Sequence, residues 1–227
     1  MTLDMSVELV VLDVNETLSD LSPLRKRFTD SGAPAHLLET WFAATLRDGF
    51  ALAAAGRSQP FPAVGAAALR GLLSGLDLSG RLDEAVSHVL DGFPELDVHP
   101  DVAAGLRTLA DGGLRVVTLT NGSLSQSEAL LDRAGISDLV EQRLSVDDAG
   151  RWKPHADAYA YAARVCGVPL ERCAMVAVHP WDLMGASTVG MTTGWIDRTG
   201  SSWPDAYDHP DVVGPDLPAV AAELLRR

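Results

Sequence analysis

One interrupted alternation constrains this 227-residue chain more than any other feature. Residues 7–14, V-E-L-V-V-L-D-V, form an apolar run without Gly or Pro, the pattern of a strand buried on both faces. The next stretch, from about residue 20 to 95, is helical in character throughout. Ala35 to Ala55 reads as a helix after Pro34 with Gly56 as its cap, S-Q-P-F-P reads as a loop, and residues 63–75 and 80–92 supply two more Ala- and Leu-rich helices. Strand–helix alternation begins only after F-P-E-L-D-V-H-P-D-V. A helix over Asp101–Ala110 precedes the strand L-R-V-V-T-L-T-N-G, and a helix stopped by Gly135 precedes a strand in V-E-Q-R-L-S-V. Then come a helix closed by Gly167, the strand C-A-M-V-A-V, H-P-W-D with a further helix, the strand M-T-T-G-W-I-D and a terminal helix. Such alternation makes βαβ units and a parallel sheet covered on both faces. An all-helical block directly after the first strand is a domain inserted into a βα loop. The chain therefore reads as α/β, with a Rossmann-like parallel-sheet core from residues 1–18 and 96–227 and an all-helical cap from residues 19–95.

Composition narrows the function classes. Hydrophobic residues make up 47% of the chain, which argues against disorder. No apolar run approaches the roughly 20 residues of a membrane span, so no membrane partner is expected. The opening M-T-L-D-M-S-V-E-L carries acids and no basic segment, unlike a secretory signal. Cys166 and Cys173 match no zinc spacing and suit a reducing cytoplasm. The net charge is −13 and the densest basic cluster is R-K-R at 25–27, so no nucleic-acid partner is expected either. Solubility is the plain reading of the acidity.

Ligands of open α/β sheets bind beyond the carboxyl ends of the strands. The first strand ends on Asp13, with Asn15 and Thr17 at alternate positions; the second ends on Thr120, Asn121, Gly122 and Ser123; a third ends on His179, Trp181 and Asp182. Lys153 lies between the last two, in D-D-A-G-R-W-K-P-H-A-D. Taken singly, each has a bland explanation. Asp13 and Asp182 suit caps or turns, T-N-G-S suits a turn with a helix cap, Lys153 suits a solvated loop, and His179 suits a satisfied histidine. Together they put polar groups from four segments at one sheet edge. An acid ending a buried strand needs a partner or a task, because an unpaired buried charge costs several kcal/mol. A lysine beside it keeps it ionised, and the set makes sense as a nucleophile site that binds a carboxylate or phosphate.

The motifs D-V-N-E-T at 13–17, T-N-G at 120–122, Lys153 and H-P-W-D-L-M-G-A from 179 resemble those of the haloacid dehalogenase superfamily. The phosphatases of that superfamily carry an acid two residues after the nucleophile and paired acids, four apart, that hold magnesium. Asn15 and Val178 stand at those places here. Tyr159, six residues after Lys153, and P-W-D-L-M-G-A resemble instead the 2-haloacid dehalogenases. The resemblance implies that Asp13 displaces halide from C2 of a small 2-haloacid and that water then hydrolyses the aspartyl ester, with no metal and no cofactor. Lys153 would steady Asp13 and the substrate carboxylate, and Asp182 with His179 would position or deprotonate the water. Asn15, Thr17, Thr120, Asn121, Tyr159, Trp181 and Trp41 would surround Asp13 and the substrate. A homodimer is a further implication.

Two departures fall on the parts specific to dehalogenation. The resemblance places a halide-contacting arginine two residues after a cap tryptophan, where E-T-W-F-A has Ala43. Arg47 or Arg57 could substitute, although both read more simply as surface arginines. Ala177 and His179 stand where Ser and Asn help to hold the hydrolytic water. The alternatives are a Mg-dependent phosphatase of small esters and a member that binds a small carboxylate without turnover.

Overall fold

The computed structural model describes residues 6–227. Most of the N-terminal stretch read for leader character, and the first five residues assigned to the core, lie outside the described residues. Strand β1 (Leu9–Leu12) is buried at all four positions. Full burial on both faces demands a central place, and β1 pairs in parallel with β2 (Arg115–Thr120) on one side and β4 (Cys173–Ala177) on the other. Outward from β2 lies β3 (Gln142–Ser145), and outward from β4 lie β5 (Thr192–Ile196) and β6 (Val212–Gly214). The order β3-β2-β1-β4-β5-β6 thus runs outward in both directions from β1. The switch point lies between β1 and β4, where a crevice opens at the carboxyl ends. Asp13 leaves β1 there, with its N–H still on the Val176 carbonyl of β4 at 3.1 Å.

Alternate strand residues feed two cores, as the two-residue period requires. Val10, Leu12, Val116, Ala174 and Val176 pack with α5 (Val102–Asp111) and α10 (Leu217–Leu224). On the other face Leu9, Val11, Val117 and Met175 pack with α8 (Ala156–Cys166) and α9 (Pro180–Ser187). The latter core continues into α1 (Leu24–Asp30), α2 (Leu37–Ala54), α3 (Phe61–Leu73) and α4 (Leu82–Leu90). The remaining helices are α6 (Leu124–Arg133), after β2, and the one-turn α7 (Val146–Ala149), after β3.

Among the described residues no helix is long and apolar enough to cross a membrane. The loop S-Q-P-F-P is shorter than its composition implies, because Phe61 and Pro62 open α3. Proline fits a first turn, where its missing N–H has no helical partner. Strand β6 escapes the sequence pattern because it is a three-residue edge with its middle residue exposed.

The helical layer is joined to the core at Trp152, the residue before Lys153. Its indole N–H donates to Gln59 O at 3.0 Å and its ring stacks on Phe61 at 5.9 Å. Gly49 of α2 lies directly against the same ring, so closely that no Cβ fits there.

Candidate active site

Asp13, Lys153 and Asp182 converge in one buried cluster. Asp13 is 4% exposed, and Lys153 and Asp182 are fully buried. Lys153 Nζ donates to Asp13 Oδ1 at 2.9 Å, Asp182 Oδ2 at 2.7 Å and Leu119 O at 2.8 Å. All three ammonium donors are therefore placed, which is what makes a buried lysine tolerable. The other Asp13 oxygen, Oδ2, accepts from the Thr17 hydroxyl at 2.6 Å, and that hydroxyl accepts from Val178 N–H at 3.1 Å. Tyr159 completes the far side, its hydroxyl donating to Asp182 Oδ1 at 2.7 Å and Asp182 O at 2.9 Å.

One ammonium cannot satisfy two buried carboxylates equally, and the two titrate apart. Burial pushes Asp13 up, but Lys153, His179 and the hydrogen bonds from Lys153 and Thr17 together hold it below the usual carboxylate range. Burial raises Asp182 above that range, with Asp13 adding to the rise and Lys153 opposing it. Lys153 itself is raised: burial lowers it, and the two carboxylates outweigh that effect. Burial, followed by Asp182, drives the Tyr159 phenol well above its normal value and keeps it a donor.

Other residues expected at the site have different local tasks. The Asn121 carbonyl accepts from Lys153 N–H at 2.9 Å, and its amide donates to Lys153 O at 3.2 Å. Asn121 thus clamps the Lys153 backbone from the end of β2 with one of its two amide hydrogens. Thr120 Oγ1 accepts from Gly122 N–H at 2.8 Å and shapes the turn into α6. Asn15 gives its carbonyl to His179. Trp41 is corrected outright: it is fully buried, its indole N–H is on Gly65 O at 2.9 Å, and its ring packs with Phe28, Phe42 and Phe93. It belongs to the core of the helical layer.

On α2, Ala43 is exposed, whereas its neighbour Phe42 is buried and stacks on His179 at 6.1 Å. Arg47 is exposed and paired with Asp48, and Arg57 is exposed. Both arginines are surface residues.

His179 lies between Phe42 and Trp181, the latter stacked on it at 5.1 Å and itself against Phe50 at 4.9 Å. Its Nε2 faces three acceptors: Asn15 O at 3.1 Å, Glu16 Oε2 at 3.5 Å and Asp13 Oδ2 at 3.8 Å. Nε2 therefore carries the proton and acts as a donor. Glu16 is the residue that sequence reasoning missed. It is the one non-glycine at positive φ among the described residues, at +63°. That left-handed conformation costs an L-residue about 1–2 kcal/mol, and no sequence pattern signals it. Burial raises the Glu16 carboxyl, with His179 opposing and Asp13 adding. A cavity of about 350 Å³ opens beside the pair and is lined by Glu16, Val178, His179, His99, Trp195 and Arg198, among others.

Chemically, this is a rigid ionised carboxylate with a donor on each oxygen. No acid stands beside it at position 15 to protonate a leaving group. A leaving group that departs as a stable anion suits it best.

Known proteins point the same way. A family model described as haloacid dehalogenase-like hydrolase matches residues 7–190. Haloacetate dehalogenase H-2 of Moraxella sp. (strain B) is 31% identical over 128 residues, 56% of this chain and 57% of that protein. The (S)-2-haloacid dehalogenase of Pseudomonas sp. (strain YL) is 33% identical over 146 residues, covering 64% of this chain and 62% of the relative. The matched stretches thus span about three-fifths of those relatives. Over whole chains, an L-2-haloacid dehalogenase structure has a TM-score of 0.87 at 30% identity, covering 97% of this chain and 98% of that one. The L-2-haloacid dehalogenase of Xanthobacter autotrophicus, solved with chloropropionic acid covalently bound, has a TM-score of 0.85 at 25% identity, with coverage of 97% and 98%.

Proposed function

This chain belongs to the haloacid dehalogenase-like hydrolase family, and from that premise we propose that it hydrolyses small 2-haloacids through an aspartyl ester on Asp13, without a metal ion. The observation that carries the reading is Lys153 bridging two buried carboxylates, which keeps Asp13 ionised and aimed. In the first step a carboxylate oxygen of Asp13 attacks C2 of the substrate. The carbon–halogen bond breaks, and its electron pair leaves with the halide. Rigid alignment of nucleophile and carbon supplies much of the rate in such a displacement.

In the second step water adds to the carboxyl carbon of Asp13, the bond between that carbon and the ester oxygen breaks, and a 2-hydroxyacid leaves. Each Asp13 oxygen already has one donor, Lys153 or Thr17, so the oxygen that remains a carbonyl meets positive charge or a hydroxyl as negative charge develops on it. The proton of the water passes to the Glu16–His179 pair, which stands on the cavity side of Asp13. Asp182 has both oxygens engaged by Lys153 and Tyr159, so its part is to hold Lys153 in place. Phe42, Phe50 and Trp181 give the substrate an apolar wall. Residues 19–95 act as the cap over this site. Cys166 and Cys173 are both free and buried, in keeping with a reducing cytoplasm. A homodimer remains part of the proposal.

The test is halide release from chloroacetate, fluoroacetate and racemic 2-chloropropionate, with and without EDTA, beside Asp13→Asn. Release by the wild type alone is expected. Silence from the wild type on all three substrates would sink the 2-haloacid reading, and loss of activity in EDTA would sink metal independence.

A further inference from the structure

The loop that carries Asp13 is strapped down through three consecutive carbonyls, each by a side chain from a different segment. His179, after β4, donates to Asn15 O at 3.1 Å. His99, before α5, meets Glu16 O through Nε2 at 3.1 Å, and a carbonyl can only accept, so His99 is the donor. Arg198, after β5, donates from Nη2 to Thr17 O at 2.9 Å. Arg198 is anchored in turn: its Nη1 reaches Asp101 Oδ1 at 2.7 Å, and Asp101 Oδ2 takes the Leu217 N–H that opens α10, at 2.9 Å.

Asp13 does not need His99. Its backbone is fixed on β4 and one carboxylate oxygen on Lys153, and Arg198 reaches it only through Thr17, whose hydroxyl is on the other oxygen. The strap's direct effect is on Glu16, whose carbonyl it grips and whose backbone sits in the left-handed region at φ +63°. That conformation places the Glu16 carboxylate 3.5 Å from His179 Nε2. Glu16, His179, His99 and Arg198 also line one cavity.

We propose that His99 and Arg198 are positioning residues for the second half of the reaction. By holding the Glu16 and Thr17 carbonyls they keep the Glu16–His179 pair set for hydrolysis of the covalent intermediate, while the attack by Asp13 proceeds without His99. This rests on the aspartyl-ester reading above.

The experiment compares His99→Leu, which removes the donor, with His99→Gln, which retains an N–H at similar reach; Arg198→Lys serves as a second conservative variant. Halide burst, steady-state turnover and covalent adduct in acid-quenched protein by intact mass are measured on 2-chloropropionate. His99→Leu is expected to keep its burst rate within about twofold, lose about tenfold in kcat with a parallel fall in KM, and accumulate the ester. His99→Gln and Arg198→Lys should recover most of the loss. A His99→Leu enzyme that turns over like wild type overturns the proposal. So does one whose burst and kcat fall together without rescue by glutamine, since that is the signature of general damage. If the wild type releases no halide, the dehalogenase reading fails separately. The imidazole signals of His179 in nitrogen–proton spectra then decide: they should shift in His99→Leu and return in His99→Gln, and unchanged signals would refute the strap.

Discussion

Lys153→Met separates the electrostatic argument from every other feature of the site. Methionine fills nearly the same volume, so packing changes little, but two carboxylates at 4% and 0% exposure lose their shared cation. Removing one partner of a buried ion pair costs about 3–5 kcal/mol, a large part of the roughly 5–15 kcal/mol that holds a typical domain together. The cost must also depend on pH. In the wild type Asp13 is held low, so its contribution is present above the unfolded carboxylate value and is lost as pH falls through the folded one. Asp182 is raised, so its contribution runs the other way. Without Lys153 both carboxyls are raised by burial and by each other, and stability then falls as pH rises through their folded values. The destabilisation relative to wild type should therefore be larger at about pH 8 than at about pH 5, by about 1.4 kcal/mol for each unit that a carboxyl is raised. Urea unfolding at several pH values measures it. Adding Asp182→Asn removes one orphaned charge and should restore part of the loss. A penalty below about 1 kcal/mol that does not vary with pH would refute the reasoning, because two ionised buried carboxylates cannot lose their cation so cheaply.

Thr17→Val keeps the shape but strands the half-buried Val178 N–H and takes a donor from the buried Asp13 carboxylate. A loss of about 1–3 kcal/mol in urea unfolding is expected, and the acid limb of the activity profile should move to higher pH because one of the bonds that hold Asp13 low is gone. Thr17→Ser should show neither change. Glu16→Gly removes a left-handed penalty of about 1–2 kcal/mol and adds about 0.5–1 kcal/mol of backbone entropy cost, so melting should stay close to wild type or rise. Halide turnover should nevertheless drop, and unchanged turnover would remove Glu16 from the mechanism.

The legible part of this molecule is the part written in short sequence patterns. Burial of residues 9–12 on both faces required a central parallel strand, and the strand order bears that out. Asp13 and Asp182 announced themselves as polar groups at strand ends, Lys153 as a lysine in the polar stretch between them and Tyr159 through the family resemblance alone, and the fold brings all four together. What was hidden depends on angle or on distance along the chain. Successive helical residues point about 100° apart, and the contact of Phe42 with His179 is carried by that angle and by no motif. Asn121 carries a substrate-binding look, but its amide turns inward to Lys153 across 32 residues. The strap joins residues 83 and 181 apart, and nothing in a single sequence links His99 or Arg198 to the loop they hold.

The charge count at the site bears on which step needs the most help. Before reaction, two buried carboxylates share one ammonium, and the excess negative charge shows in the raised Asp182. Esterification of Asp13 would remove one charge and leave Lys153 and Asp182 as a matched pair. Burying an unmatched charge is costly and burying a matched pair much less so, so the covalent intermediate is electrostatically the more comfortable state. Under the proposed mechanism, a site built this way would make the ester readily and give it up reluctantly. Hydrolysis must regenerate the second carboxylate against that preference, and a proton acceptor near Asp13 lowers the barrier to doing so. The Glu16–His179 pair stands in that place, held by a backbone conformation that is itself unfavourable. Weakening the pair should therefore trap ester without slowing its formation, whereas loss of Lys153, which serves Asp13 in both steps, should slow both.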